Sequence, residues 1–409
     1  MLLRLIQAGS KQRQQQASQT QGRQSNKWSG DLGSWTFRRP VDSNQHSRHL
    51  QHKNHNKGES EPAQHGSQST RLGTGHDEDV EKRSTLGLMS GSATDQQASL
   101  SVALKQRAIA EGFNPVGIAR LPGSPRLQLR TEALERWLNQ GHQADMNWMA
   151  APRRRDASLL LEGAKSLLAV GLNYHVKAKS DPKALRVARF GWGRDYHRVI
   201  DQRLRRIGRW LSTQRPECRW RACVDSAPLL DKAWAEEAGL GWIGKHSNLI
   251  HPQRGSWMLI GHLLMTEPLQ PDSPSQTLCG RCTACIDACP TEAIREPFVV
   301  DARRCIAFHT IENRNQKLPE AIEKALGPWV AGCDICQDVC PWNHRNLPNS
   351  DDPEMQPRPW LLNLSRDNVK TWTDSDWNQH LKGSALRRIK PWMWRRNAAA
   401  TQPDPTTTL

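Results

Sequence analysis

The sequence predicts an α/β (α+β) domain followed by a smaller cysteine-rich module, behind a long polar extension. Three observations predict it. Helical and strand patterns alternate over residues 97–270, eight of the ten cysteines crowd into residues 279–340, and residues 1–96 show no apolar period.

The extension, residues 1–96, is rich in Gln, Ser, His, Asn and Gly, as in "KQRQQQASQTQGRQSNK". Such a segment buries too little apolar surface to offset its ordering entropy, so it is expected to be disordered. Its scattered histidines read as a solvated tail. Met89 stands just before the folded pattern and is a candidate start. The first residues, "MLLRLIQAGS", are too short and too soon broken for a secretory signal, and no apolar stretch follows Arg38 and Arg39. No run approaches the roughly 20 apolar residues of a spanning helix. A cytoplasmic chain with no membrane partner is expected.

The first helix comes from "ASLSVALKQRAIAEGF", where Leu100, Val102, Leu104, Ala108 and Ile109 form a stripe that Gly112 stops. "PVGIARL" is a strand. "TEALERWLNQG" is an amphipathic helix ended by Gly141, and "AKSLLAVGLNYHV" is a buried strand. "DYHRVIDQRLRRIGRWLSTQ" is a long basic helix, and "WRACVDS" another strand. "PLLDKAWAEEAG" is a helix with Pro228 in its first turn and Gly239 past its end. "SWMLIGHLLMT" is the last strand of the domain.

Gly239, Gly241 and Gly244 in "GLGWIGK" have the G-x-G-x-x-G spacing of a dinucleotide-binding turn. That motif requires a strand before it and a helix after it. Here a helix precedes, so Gly239 reads as its C-terminal cap. The remaining glycines belong to a loop that could approach a ligand closely, with Lys245 adding a cation.

In residues 271–345, "CGRCTACIDACP" places Cys279, Cys282, Cys285 and Cys289 at the spacing C-x2-C-x2-C-x3-C-P. Zinc sites usually pair two C-x2-C knuckles. Three cysteines spaced by two and then Cys-Pro form the bacterial ferredoxin run, whose fourth thiolate crosses to the other cluster. "CDICQDVCP" adds Cys333, Cys336 and Cys340. Cys340 is therefore expected to complete a first cluster with Cys279, Cys282 and Cys285. Cys289, Cys333 and Cys336 form the second, with Cys305 as the fourth ligand. This is a ferredoxin-like domain with two 4Fe–4S clusters, an electron relay that needs an acceptor. Cys218 and Cys223 read as buried structural cysteines.

Lys and Arg outnumber Asp and Glu by 57 to 41, for a formal charge of +16, so an anionic partner such as nucleic acid is expected. "RLRRIGRW" and "RRIKPWMWRR" interleave cations with tryptophans, which can neutralise phosphates and stack on bases. Residues 346–409 read as a short basic helical segment in contact with nucleic acid, with a disordered end.

"VDSAPLLDKAWAEEAGLGWIGKHSNLI", "LCGRCTACIDACPTEAI" and "CDICQDVCPWN", in that order, resemble the epoxyqueuosine reductases of tRNA modification. "GRDYH" (Gly193 to His197), "ADMNWM" (Ala144 to Met149) and "GSALRRIKPWMWRRNAA" fit as well, so the resemblance covers roughly residues 98–398. It implies a cobalamin in the α/β domain beside the two clusters, and removal of the epoxide oxygen from the modified wobble base of tRNA. Two electrons and two protons enter; an alkene and water leave. Electrons come from an external donor, and a monomer is expected.

The resemblance makes Asp225 the catalytic acid, with Asp195 and His197 lining the substrate pocket. It places Trp148, the segment from Lys245 through Asn248 to Leu249, Cys333 and Asp334 around the corrin. The family usually carries Asn where this chain has His246. Asp225 follows a strand and precedes a helix, where α/β proteins place ligands. An acid there must be protonated to donate, so burial against the corrin is expected to raise its pKa. The competing reading makes it the cap of the next helix, a role Ser226 could take instead. Two rival functions remain. A cobalamin-dependent reductive dehalogenase usually carries an export signal and needs no basic surface. An iron–sulfur electron carrier leaves the large domain before Cys279 without a role.

Overall fold

Four strands carry apolar side chains on both faces, which calls for helices on both sides of the sheet. The structure is a computed structural model and describes residues 93–178 and 180–402, all within one compact unit. Its elements are α1 (Ala93–Ala110), β1 (Val116–Arg120), α2 (Pro125–Asn139), β2 (Ser166–Asn173), α3 (Tyr196–Gln214), β3 (Trp220–Val224), α4 (Asp231–Glu237) and β4 (Met258–Met265). The sheet order is β1-β2-β4-β3, and every pair is antiparallel. The alternation of helix and strand therefore resolves in the α+β sense.

Ile118, Leu168, Val170 and Leu263 face one side and pack with Leu104 of α1 and Ile200, Leu204 and Ile207 of α3. Leu167, Ala169, Cys223 and Leu264 face the other and pack with Trp234 and Ala235 of α4. An ion pair and a hydrogen-bonded helix cap tie the outer layer together. Arg130 of α2 donates to both oxygens of fully buried Glu236 at 2.9 Å, and Glu237 accepts from Ser124, the N-cap of α2.

Local differences from the expected pattern have physical reasons. In α1 only Leu100, Leu104 and Ala108, spaced by four, form the buried stripe; Val102 and Ile109 are 51% and 53% exposed. The helix begins at Ala93, so residues 93–96 are helical and not part of the extension; the rest of the extension and Met89 lie outside the described residues. α4 begins at Asp231, which leaves Pro228 in the preceding turn. Neither Asp225 nor Ser226 caps it: Ser226 Oγ donates to the Val224 carbonyl at 3.2 Å. The end of α4 is as expected. Gly239 has φ +80°, its N–H donates to Glu236, and the Leu240 N–H donates to Ala235, which is a Schellman closure.

Beyond it, Trp242–Ile243 pairs with Leu249–Ile250 as a small hairpin where a loop was expected. Gly241 and Gly244 fit the close packing of that hairpin. A Cβ on Gly241 would lie 2.2 Å from the Ile250 carbonyl oxygen, and one on Gly244 2.5 Å from the Ile250 side chain.

The cysteine module holds α5 (Ala284–Asp287), α6 (Ile306–Ile311), α7 (Glu320–Ala325) and α8 (Ile335–Asp338), with a hairpin of Ile294–Glu296 and Val299–Val300. The one-turn helices α5 and α8 pack together. The chain continues through α9 (Pro359–Leu362), α10 (Arg366–Thr371), α11 (Asp374–Leu381) and α12 (Pro391–Ala400). These share a core with Leu185, Val187, Val330 and Ala331. Met393 and Trp394 are fully buried in it, and Trp392 and Trp210 pack against apolar cores. The expectation that the tryptophans offer stacking faces is overturned for Trp394, whose side of the helix is turned inward; Trp392 and Trp210 are half-buried. The expected disordered end, from residue 403, lies outside the described residues. Among the described residues no helix is long and apolar enough to cross a membrane.

Candidate active site and cluster-binding cysteines

β3 ends at Val224, and the next residue, Asp225, has φ +38°, a left-handed conformation that costs a non-glycine residue of order 1 kcal/mol. The turn aims its carboxylate at the first residues of α3. There Asp195 is the N-cap and accepts the His197 backbone N–H at 3.1 Å. The His197 ring bridges two acids: Nδ1 lies 2.7 Å from Asp195 Oδ1, and Nε2 2.9 Å from Asp225 Oδ2. The Tyr196 hydroxyl donates to the same Asp225 oxygen at 3.0 Å, and its ring stacks on His197.

This geometry fixes the charges. Burial pushes the His197 pKa down, but its hydrogen bonds to Asp195 and Asp225 outweigh that and raise it to about 9. The hydrogen bond from His197 holds Asp195 below the usual carboxylate range. Burial pushes Asp225 up, but its side chain is 61% exposed, and His197, Tyr196 and Lys232 together bring it below its ordinary value. The expected rise in the Asp225 pKa belongs to burial against the corrin; in the chain alone the neighbouring imidazolium keeps it ionised, and the proton resides on His197. Burial and Asp225 keep Tyr196 a neutral phenol.

Beside this chain lies a cavity of about 300 Å³. Tyr174, Phe190, Leu249, Met258 and Ile260 form its apolar wall, and Tyr196, Lys232, Asn248, Ser256 and Gln337 its polar one. Of the residues expected around a corrin, Asn248 and Leu249 line it. Lys245 does not. Its ammonium donates to the Gly280 and Cys282 carbonyls at 2.8 Å, tying the hairpin to the first cysteine turn. Asp334 also has other partners. It is buried, accepts the Arg189 backbone N–H at 2.8 Å and pairs with the guanidinium at 3.3 Å. Burial raises it to about 6 against the pull of Arg189. Trp148 is 43% exposed, with the Arg388 guanidinium 5.1 Å from its ring. Arg388 is also paired with Glu312. His246 is buried and neutral, lowered to about 4 by burial, and accepts the Asn248 N–H at 3.2 Å.

Tyr196 and Lys232 escaped the sequence reading. Tyr196 opens an apolar helix stripe and reads as a core aromatic. Lys232 has no motif of its own.

The thiols fall into two neighbourhoods. Burial pushes Cys285 up to about 11, and Cys340, Cys279 and Cys282 push the same way. Burial raises Cys340 too, with Cys279 and Cys282 as neighbours. In the other set burial raises Cys333, Cys336 and Cys305; Cys305 acts on the first two, and Cys289 acts on Cys336 and Cys305. Cys285 also acts on Cys336, as the packing of α5 on α8 requires. Such thiols stay protonated unless a metal offsets the charge. Among the described residues no three potential ligands are gathered closely enough to hold one ion. Zinc needs four ligands within about 2.3 Å of a single centre, whereas a cubane spreads four thiolates over four irons. Eight thiols divided into two neighbourhoods of four suit two cubanes. Cys218 and Cys223 are buried apart from both sets.

A ferredoxin-type module joined to a sheet domain with an acid–imidazole chain beside a cavity defines an iron–sulfur oxidoreductase. Residues 278–343 match the family profile described as "4Fe-4S double cluster binding domain", and residues 154–226 that described as "Epoxyqueuosine reductase QueG, DUF1730". The chain is 78% identical over 321 residues to the epoxyqueuosine reductase of Synechococcus sp. (strain CC9605), covering 78% of this chain and 100% of that one. It is 59% identical over 310 residues to that of Synechococcus sp. (strain RCC307), covering 76% and 96%. A crystal structure of an epoxyqueuosine reductase with an epoxyqueuosine-modified tRNA-Tyr stem loop superposes with a TM-score of 0.68 at 28% identity, covering 74% of this chain and 80% of that one. The chain belongs to the epoxyqueuosine reductase family.

Proposed function

We propose that this chain reduces epoxyqueuosine to queuosine at the wobble position of tRNA, in the cytoplasm, as a monomer. Cobalamin would be held by Asn248 and Leu249 of the cavity wall, with Trp148 as a further contact, and would supply a redox metal near Asp225 for the two-electron step. Two 4Fe–4S clusters are held by Cys279, Cys282, Cys285 and Cys340, and by Cys289, Cys305, Cys333 and Cys336. When bound, these groups supply the two electrons, drawn from an external donor.

The residues of the chain supply the proton and the shape. The epoxide oxygen gains negative charge as its two C–O bonds break in turn, and it takes up two protons to leave as water, the second drawn from solvent and the first from the chain's own residues. His197 stores that proton at Nε2, 2.9 Å from Asp225 Oδ2. Asp195 fixes the imidazole by accepting from Nδ1. Asp225, hydrogen-bonded to the cavity-lining Tyr196, passes the proton to the oxygen, and His197 replenishes it. Tyr196 holds the carboxylate in place through the same oxygen. The target base leaves its stack to reach this depth, as enzymes that act on a base require.

The single observation that carries this reading is the Asp195–His197–Asp225 chain beside the cavity. The test is reconstitution with iron, sulfide and cobalamin, followed by mass spectrometry of nucleosides from treated tRNA. Conversion of epoxyqueuosine to queuosine is expected. A fully loaded protein that leaves the epoxide intact would sink the proposal.

A further inference from the structure

Lys232 lies in the first turn of α4, and no motif singles it out. Its ammonium donates to the Ser247 carbonyl and to Asn248 Oδ1, both at 2.9 Å. An ammonium has three donors, so one remains for the cavity, which Lys232 lines together with Tyr196 and Gln337. Tyr196, which is hydrogen-bonded to Asp225, and Gln337, the residue after Cys336, line the same cavity. One cation therefore faces the cavity together with a partner of the proposed acid and a neighbour of the second cysteine set.

Each electron that enters a cluster adds one negative charge, with no bond broken and no proton required. A nearby cation stabilises the reduced form and raises the reduction potential. We propose that Lys232 sets the potential of the second cluster, held by Cys289, Cys305, Cys333 and Cys336, making it the better electron acceptor on the side that faces Asp225. The inference rests on the two-cluster reading above. It makes Lys232 a positioning residue for charge: it touches neither the epoxide nor the reacting proton.

The test is a potentiometric titration of the reconstituted two-cluster protein, followed by electron paramagnetic resonance. Lys232→Gln keeps hydrogen-bond donors for Ser247 and Asn248 but removes the charge; Lys232→Arg keeps both. Cys305→Ala identifies which signal belongs to the second cluster. In Lys232→Gln that signal is expected to shift to lower potential while the other stays, with iron and sulfide contents unchanged, and Lys232→Arg is expected to retain the wild-type value. Unchanged potentials, equal shifts in both clusters, or iron lost from Lys232→Gln would each overturn the proposal, the last by making Lys232 an assembly residue. A wild-type protein that binds fewer than two clusters would instead refute the two-cluster reading itself.

Discussion

Asp225 and His197 share one proton across 2.9 Å, and this decides two predictions at the scale of single residues. Asp225→Asn preserves the size of the side chain but cannot relay a proton. Turnover is expected to fall by roughly 10²–10⁴-fold, the usual contribution of a general acid, with iron and cobalamin contents unchanged. Single-turnover assays on epoxyqueuosine tRNA check it. The second concerns pH. The His197 pKa is raised from 6.5 to about 9, so the proton it stores is present below that value and lost as pH rises through it. The rate is expected to fall as pH rises through about 9, and the contribution of His197 to stability, complete below 6.5, to be lost progressively between 6.5 and about 9. A rate that stays flat to pH 10 would exclude His197 as the proton store. The position of Asp225 was legible, because a carboxylate between a strand and a helix is a local pattern. Its ionisation was not. That depends on Tyr196 and His197, which reach it from another element and read in sequence as part of an amphipathic helix.

At the scale of elements, the cysteine spacing carried the most information, since a ligand loop and a one-turn helix are set by neighbours in sequence. Cys305 is the exception: it stands alone before α6, and only the fold brings it to Cys333 and Cys336. Cys305→Ala is expected to remove one cluster and leave the other, halving the iron from about eight per chain. Iron analysis and the loss of one of two paramagnetic signals check it. Where a helix turns its apolar side was less legible. "PWMWRR" shows tryptophans next to arginines, and that pattern fits a stacking surface as well as a core. The structure decides, because α12 packs against Val330 and Ala331 and buries Trp394 completely. Trp394→Ala is therefore expected to cost about 3–5 kcal/mol of stability, a loss of packing and not of base stacking. Denaturant unfolding measures it. A stable variant with weakened tRNA binding would contradict this placement.

The whole molecule carries an excess of cations, and the fold determines which of them meet a polyanion. Many arginines are already neutralised: Arg206 pairs with Glu111, Arg205 with Asp201 and Arg388 with Glu312. Arg209 is exposed on α3, and among the described residues it has no ion-pair partner. α3 starts at the proposed acid–imidazole chain, and at about 1.5 Å of rise per residue Arg209 lies some 18 Å along the axis from His197. A stem loop whose wobble base reaches Asp225 has phosphates at that distance. If Arg209 neutralises one of them, Arg209→Glu should weaken binding at low salt and lower the log–log salt slope by about one. Reduction of the bound base, once saturated, should be unchanged, because Arg209 is remote from the proton chain. Titrations of tRNA at several salt concentrations, for wild type and variant, give both slopes. Equal slopes would place the phosphate contacts on another face and leave the net charge of the chain without a role at α3.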